Sequence, residues 1–191
     1  MLSNDRLYIA LYARGARGTM PGGEDDYNWA FIVGPKSDGN NAQGVRHRAK
    51  EVVEVSCGEF RSFWDYEERE TSMAPSAMIM VRILIGKVKR RSKLAAVLRT
   101  VPLRAEKKPG WNGVHWIHEA LLALMRWNNV DDGIFERSGF ELDWDTIRDQ
   151  ALSYVARKRA EHRFDGKAKP GTYDSTKVPT WNLLKNVEET P

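Results

Sequence analysis

The stretch "AMIMVRILIGKVKRRSKLAAVLRTV" (residues 77–101) decides the fold class, because its hydrophobic pattern changes period halfway along. Its first half, residues 77–88, is a nearly continuous apolar run rich in branched side chains, which predicts a buried β-strand. In its second half, residues 90–101, apolar side chains recur at helical spacing: Leu94, Val97, Leu98 and Val101. The chain therefore passes from strands to helices at this point, as α+β proteins do.

The segments on either side of this stretch extend the same division. Before it, strand-like patterns cover residues 6–13, 27–34, 44–53 and 60–70, and after it, helical patterns cover residues 112–127 and 143–163. We therefore predict an α+β fold in a single domain over residues 1–191. Its antiparallel sheet should have about four to six strands, with three main helices packed against it. The polar C-terminal tail, residues 164–191, is expected to dock back through Trp181.

The composition excludes several classes of protein. The chain has 191 residues, of which 41% are hydrophobic and 29% charged, and its longest apolar runs are about half of a membrane span. It has one cysteine, Cys57, so an internal disulfide framework is excluded. No signal-peptide pattern opens the chain. We expect a cytoplasmic protein that needs no membrane, metal or cofactor. The net charge of +4 permits nucleic acid as a partner without requiring it.

Stretches spread from residue 5 to the end of the chain resemble an uncharacterised fungal protein family of about this length. They include "YNWAFIVGPK" (27–36), "GWNGVHWIHEAL" (110–121) and "KVPTWNLL" (177–184). That family resembles the circularly permuted papain-like superfamily, which includes NlpC-type peptidases and lecithin–retinol acyltransferase-like enzymes. The resemblance implies a permuted papain-like fold, with a histidine from a strand beside a cysteine at a helix start. Both the imidazole and the helix N-terminus would stabilise the thiolate.

The chain departs from the family pattern at three positions. Where the family reads Tyr-His-Trp-Ala, Tyr-His-Ala-Lys and Trp-Asn-Cys-Val, this chain has Asn28, Arg48 and Gly113 in place of the two histidines and the cysteine. The resemblance therefore implies an abandoned thiol site. The residues expected to bind a ligand in its cleft are Asn28, Trp29, Arg48, Trp111, Asn112, Gly113 and Trp116. The alternatives are a satisfied polar residue for Asn28, a solvated arginine for Arg48 and core packing for the tryptophans.

Three other features have weaker functional interpretations. His115 and His118 lie one helical turn apart, but the spacing around them is not that of a zinc protease. Cys57 lies outside any predicted helix start and is expected to be a free thiol without function. The basic run "KVKRRSK" (87–93) makes Lys89, Arg90 and Arg91 candidates for nucleic-acid contact. It lacks interleaved aromatics and any known binding motif, and such charge runs are usually solvated surfaces.

Two hypotheses of function follow from these observations. The first is a catalytically degenerate member of the family that binds a small molecule, peptide or protein in the cleft. The second is an acyl or aminoacyl transferase that never depended on a thiol. Its basic run would recruit tRNA or another RNA as the acyl donor, and its product would be an amide or a cyclic dipeptide. RNA binding that depends on salt would favour the second hypothesis.

Overall fold

The computed structural model describes residues 5–36, 41–76, 78–128 and 133–191, with Ser138 described by its backbone alone. Its strands are β1 (Asp5–Ala13), β2 (Tyr27–Pro35), β3 (Gln43–Ser56), β4 (Glu59–Ser72), β5 (Ile79–Val88), β6 (Phe135–Phe140), β7 (Thr180–Asn182) and β8 (Val187–Thr190). Its helices are α1 (Arg91–Arg99), α2 (Gly113–Asn128) and α3 (Trp144–Ala160), and a single 3₁₀ turn covers Glu24–Asp26. The three predicted helices are thus present.

The strands form one mixed sheet of eight strands. Seven follow the order β4-β3-β2-β1-β5-β7-β8, and β6 also pairs with β5. The β5–β7 pair is parallel and the other pairs are antiparallel. The prediction of an antiparallel sheet of four to six strands, and with it a permuted papain-like architecture, was therefore wrong. The extra strands β6, β7 and β8 are too short to show a hydrophobic period. β6 and β7 each pair with β5, and β8 pairs with β7.

The centre of the sheet, where β1 lies, is buried on both faces. Leu7, Ile9 and Leu11 point into the larger core between the sheet and the three helices. On the opposite face, the side chains of β1 join a smaller apolar cluster with Ala30, Ile32, Met73 and Leu84. Alternate side chains of a strand point to opposite faces, so a strand covered on both sides is apolar throughout, as residues 7–13 are. No helix in the described ranges is long and apolar enough to cross a membrane.

The end of the chain is fastened to α3. The ring of Trp181 in β7 packs 5.8 Å from that of Tyr154, measured between centroids. The ammonium group of Lys158, only 1% exposed, lies 2.7 Å from the carboxylate of Glu188 in β8 and also contacts Glu161. A buried ammonium must be paired, so this contact ties β8 to the helix.

Strands β3 and β4 form a long hairpin that is joined to the sheet over a short distance. The two strands pair along all fourteen residues of each. They are joined at Cys57 and Gly58, whose φ angles of 51° and 83° are those of a tight hairpin turn. In contrast, β2 pairs with β3 only where Phe31–Val33 faces Val45–His47. Beyond Phe31 and His47 the two strands separate, and this separation creates the candidate site.

Candidate functional site: a pocket between two strands

A pocket of about 320 Å³ occupies the space where β2 and β3 separate. We call this space the strand gap. Its walls are residues 27–29 of β2 and residues 48–51 of β3, and the first turn of α2 closes one side. Arg14 and Asp25 from the β1–β2 loop, and Trp64 from β4, complete the lining. The strand gap is therefore built from both open strand edges and a helix start.

Gly113 lies where α2 comes closest to the hairpin. A Cβ at this position would stand 3.2 Å from the carbonyl oxygen of Ala49 and 3.5 Å from the ring of Trp64. Such a separation from a backbone oxygen is tight, so a side chain would require β3 to shift. Glycine at position 113 thus permits the helix to pack against the backbone of β3.

Asn112 acts as the N-cap of α2. Its Oδ1 accepts hydrogen bonds from the backbone amides of Val114 at 3.0 Å and His115 at 3.4 Å. The ring of His115 in turn accepts a hydrogen bond through Nδ1 from the backbone amide of Asn112, at 3.2 Å. Burial lowers the pKa of His115, which favours the neutral imidazole that accepts this bond. The side chain of Asn112 is therefore committed to the helix, although it also lines the pocket.

Asp25 organises the loop that closes the other side of the strand gap. The residue is 4% exposed, and its carboxylate accepts bonds from the backbone amides of Thr19 and Met20, both at 2.8 Å. Burial opposes ionisation, but these hydrogen bonds outweigh it and hold the pKa of Asp25 below its usual value. Arg14 donates to the carbonyl of Asp25 at 2.6 Å. The glycine-rich loop, residues 14–26, is consequently pinned beside the pocket.

The carboxylate of Glu67 pairs with several cations beside the strand gap. Glu67 accepts from Arg46 and Arg48, each through Nε at 2.9 Å, and Lys50 lies 3.9 Å away. Although burial opposes it, the two arginines hold the pKa of Glu67 below its usual value. These three cations outnumber the carboxylate that they surround, whereas Asp25 and Glu51 place negative charge on the rest of the pocket wall. Arg48 therefore contributes positive potential while its guanidinium is held by Glu67.

The structure brings five of the seven expected ligand-binding residues to the pocket wall: Asn28, Trp29, Arg48, Asn112 and Gly113. Trp111 and Trp116 lie outside that lining. The indole of Trp111 packs against Trp64 and lies 3.2 Å from the carboxylate of Glu119. Trp116 is fully buried between Phe31 and Tyr66. Core packing, the alternative that the sequence left open, describes both of these tryptophans.

Several lining residues were missed by sequence reasoning: Arg14, Asp25, Tyr27, Lys50, Glu51 and Trp64. Trp64 faces Glu51 across the hairpin, so predicting the hairpin's register would have placed both residues together. The separation of β2 from β3 has no signal in either strand's own sequence.

A buried histidine network was also missed. His47, 2% exposed, lies 2.8 Å through Nδ1 from the hydroxyl of Tyr66, which approaches Glu68 at 3.4 Å. Arg99 at the end of α1 holds Glu68 with two bonds of 2.6 and 2.7 Å. Burial lowers the pKa of His47 to about 4, so the ring is neutral at physiological pH.

The weaker candidates occupy other places. His118 stacks on Trp144, and no group of three metal-binding side chains occurs among the residues that the structure describes. Cys57 is exposed at the turn of the hairpin. Lys89, Arg90 and Arg91 are exposed where α1 begins. Beyond the other end of α1, a groove of about 610 Å³ is lined by Arg104, Lys108, Glu119, Leu122, Arg126 and Trp127, among others.

The chain belongs to the DUF6914 family, which is described as a family of unknown function and matches residues 4–190. No curated protein and no solved structure matched the chain.

Proposed function

We propose that this protein binds a short peptide, or a small molecule with peptide-like amides, in the strand gap without covalent catalysis. The proposal rests on one observation. The ladder between β2 and β3 ends at Phe31 and His47, and the residues just beyond those two line a pocket.

Backbone groups supply the recognition chemistry. In an antiparallel strand, alternate residues direct their N–H and C=O groups toward opposite neighbours. Strand β2 pairs with β1 along its whole length, and β3 pairs with β4, so the edges that face the strand gap are available to an inserted chain. An extended peptide satisfies such edges by adding its own hydrogen bonds.

The charges around the strand gap favour a ligand with an anionic end. The N-terminus of α2 carries partial positive charge, and Arg48 and Lys50 add an excess of cations around Glu67. A free carboxylate at the end of the ligand would therefore lie toward Gly113. The aromatic rings of Tyr27, Trp29 and Trp64 supply apolar wall for a side chain.

The proposed binding needs no thiol. Cys57 is exposed at the hairpin turn, and it is not among the residues that line the pocket. Gly113 lacks a side chain and faces the backbone of β3, so the first turn of α2 offers a surface and no nucleophile.

The proposal is tested with blocked tetrapeptides of alanine and valine that carry a free C-terminal carboxylate. We expect binding by isothermal titration calorimetry, weaker binding of the C-terminal amide, and loss of binding when the central amides are N-methylated. Asn28→Ala should weaken binding because it removes a polar group from the wall, whereas the exposed control Asn41→Ala should not. Absence of binding, or equal binding of the N-methylated peptide, would refute the proposal.

A second candidate function is a thiol-independent transferase that uses a tRNA-linked donor. The observation that favours it is the groove beyond α1, where the indole of Trp127 is 53% exposed beside Arg104, Lys108 and Arg126. Aromatic rings beside cations are typical of surfaces that bind single-stranded nucleic acid. This candidate predicts that RNA copurifies with the protein, and that Trp127→Ala weakens RNA binding. Untargeted comparison of metabolites from cells with and without the protein would reveal its product.

A further inference from the structure

The hairpin of β3 and β4 exposes several large apolar side chains, which is unusual for an unpaired edge of a sheet. Phe60 is 79% exposed, Val55 64%, Val53 62% and Phe63 41%. All four lie in the half of the hairpin that projects beyond the contact with β2. β4 is also the last strand of the sheet, and its outer edge pairs with no other strand in the part of the chain that the structure describes. A long unpaired edge with exposed aromatic rings is a template for another strand.

We propose that β4 pairs with β4 of a second copy of this chain, antiparallel and about a two-fold axis at Phe63. This arrangement joins two eight-stranded sheets into one. It is an isologous interface, in which each contact occurs twice. The proposal is independent of the ligand proposed for the strand gap.

The charges of β4 select this register. With Phe63 opposite Phe63, Arg61 of each copy faces Asp65 of the other. Both side chains are exposed, and each lies on the same face of the sheet as Phe63. Shifting the axis by one residue to Ser62 would place Arg61 opposite Phe63 and remove both ion pairs. The register thus combines opposite charges with an aromatic contact at the centre.

The other face of the paired strands is aromatic in the same register. Phe60 of each copy faces Tyr66 of the other, and Ser62 faces Trp64. Tyr66 and Trp64 are half-buried on the helix side of the sheet, next to Trp116 and Trp111 respectively. The exposed ring of Phe60 would therefore extend an aromatic cluster that already exists.

One pairing in this register joins two carboxylates, Glu59 and Glu67. Glu67 is already surrounded by Arg46, Arg48 and Lys50, so the carboxylate that Glu59 meets is neutralised by cations of its own chain. Glu59 itself is 76% exposed, and the Arg61 of its own chain is 3.9 Å away. The cations around Glu67 therefore weaken the repulsion between the two carboxylates, and Arg61 opposite Asp65 supplies the attraction in this register.

The experiment exchanges the charges at positions 61 and 65 and measures mass by sedimentation velocity over a wide range of concentrations. The wild type should dimerise. Arg61→Glu and Asp65→Arg should each weaken dimerisation by at least about tenfold, because both symmetric pairs become repulsive. An equimolar mixture of the two variants should form a heterodimer, since one copy then carries acidic side chains at both positions and the other carries basic ones. The double variant should dimerise as the wild type does.

A cysteine at the axis tests the register itself. In a Cys57→Asn background, Phe63→Cys should form an intermolecular disulfide on oxidation, since directly opposed Cα atoms lie about 4.5–5.5 Å apart. Ser62→Cys should not, because its two copies lie two residues out of register. Circular dichroism confirms that each variant is folded. A wild type that stays monomeric, a dimer unaffected by either inversion, or crosslinking at position 62 instead of 63 would overturn the proposal.

Discussion

The carbonyl oxygen of Ala49 lies 3.2 Å from the place that a Cβ on Gly113 would occupy. The first turn of α2 therefore rests on the backbone of β3, and this contact forms part of the wall of the strand gap. Close packing accounts for the glycine directly. The lost cysteine that the family resemblance implies at this position stays a prediction.

Gly113→Val should destabilise the protein by about 1–3 kcal/mol, because β3 must move to admit the side chain. The free energy of unfolding in urea measures this loss. Ala96→Val, at an exposed position of α1, is the matched control and should cost only a few tenths of a kcal/mol, about the difference in helix propensity. Equal losses in the two variants would show that the contact with Ala49 does not restrict position 113.

Asn112→Ala should destabilise the protein by about 1 kcal/mol through loss of the cap on α2. Asn112→Asp should retain most of the stability, since a carboxylate accepts the same bonds and interacts favourably with the helix N-terminus. Thermal and urea unfolding of the two variants check this. A decrease as large for aspartate as for alanine would contradict the capping role.

Stability should fall as the pH drops from about 6.5 to about 4, because His47 protonates readily only in the unfolded chain. Its pKa in the folded protein is about 4, below the ordinary 6.5, so its contribution is complete above 6.5 and decreases below it. The total loss is roughly 3 kcal/mol. Burial also lowers the pKa of His115, which adds to the slope in the same direction.

The variant His47→Gln isolates this contribution. Its free energy of unfolding should depend less on pH in that window than the wild type's. Glu67 and Glu68, whose pKa values lie below the ordinary range, lose their contribution only at lower pH. An unchanged slope in His47→Gln would show that this ring is not the source.

Lys158→Met should loosen the end of the chain and cost about 1–3 kcal/mol, since Glu188 loses its buried partner and keeps only Arg157 and Tyr154. Hydrogen exchange in β7 and β8 should accelerate more than in β1. The double variant Lys158→Met with Glu188→Gln should recover part of the loss, and the exposed control Lys185→Met should have little effect. If the double variant recovers no stability, Lys158 does not hold the tail through Glu188.

Cys57→Asn should stabilise the hairpin by about 0.5 kcal/mol. Residue 57 has a positive φ of 51°, which asparagine tolerates better than cysteine, and Asn-Gly is favoured in such turns. Binding in the strand gap should be unchanged, because Cys57 does not line it. A loss of peptide binding with intact folding would assign Cys57 a role that the structure does not give it.

The long elements of the fold could be predicted, because their hydrophobic periods are written in consecutive residues. Residues 6–13 and 112–127 are examples, and both lie within a residue of the observed bounds. Strand β7 is only three residues long and pairs with β5, almost a hundred positions earlier in the chain. No local pattern encodes such a pairing, so the size of the sheet was underestimated.

The candidate site was accessible to sequence reasoning only in part. Asn28 and Gly113 were singled out through the family resemblance, and the structure places both on the wall of one pocket. Trp64 and Lys50 reach the same pocket because β2 and β3 separate, and that separation depends on how α2 packs against both strands. Asp25 was overlooked because the glycine-rich loop around it reads as mobile, although hydrogen bonds to its carboxylate fix it.

The three-residue ladder between β2 and β3 has a mechanical consequence. The two fourteen-residue strands of the hairpin are hydrogen-bonded to β2 through three residues near one end of β3. Contacts with α1 and α2 hold the middle of the hairpin, whereas the half beyond Glu51 and Trp64 is largely exposed. Bending of that half would displace the tip at Cys57 and Gly58 without breaking those contacts. A ligand in the strand gap would lie against Glu51 and Trp64, where the exposed half of the hairpin begins, so binding in this pocket would change the position of the distant tip.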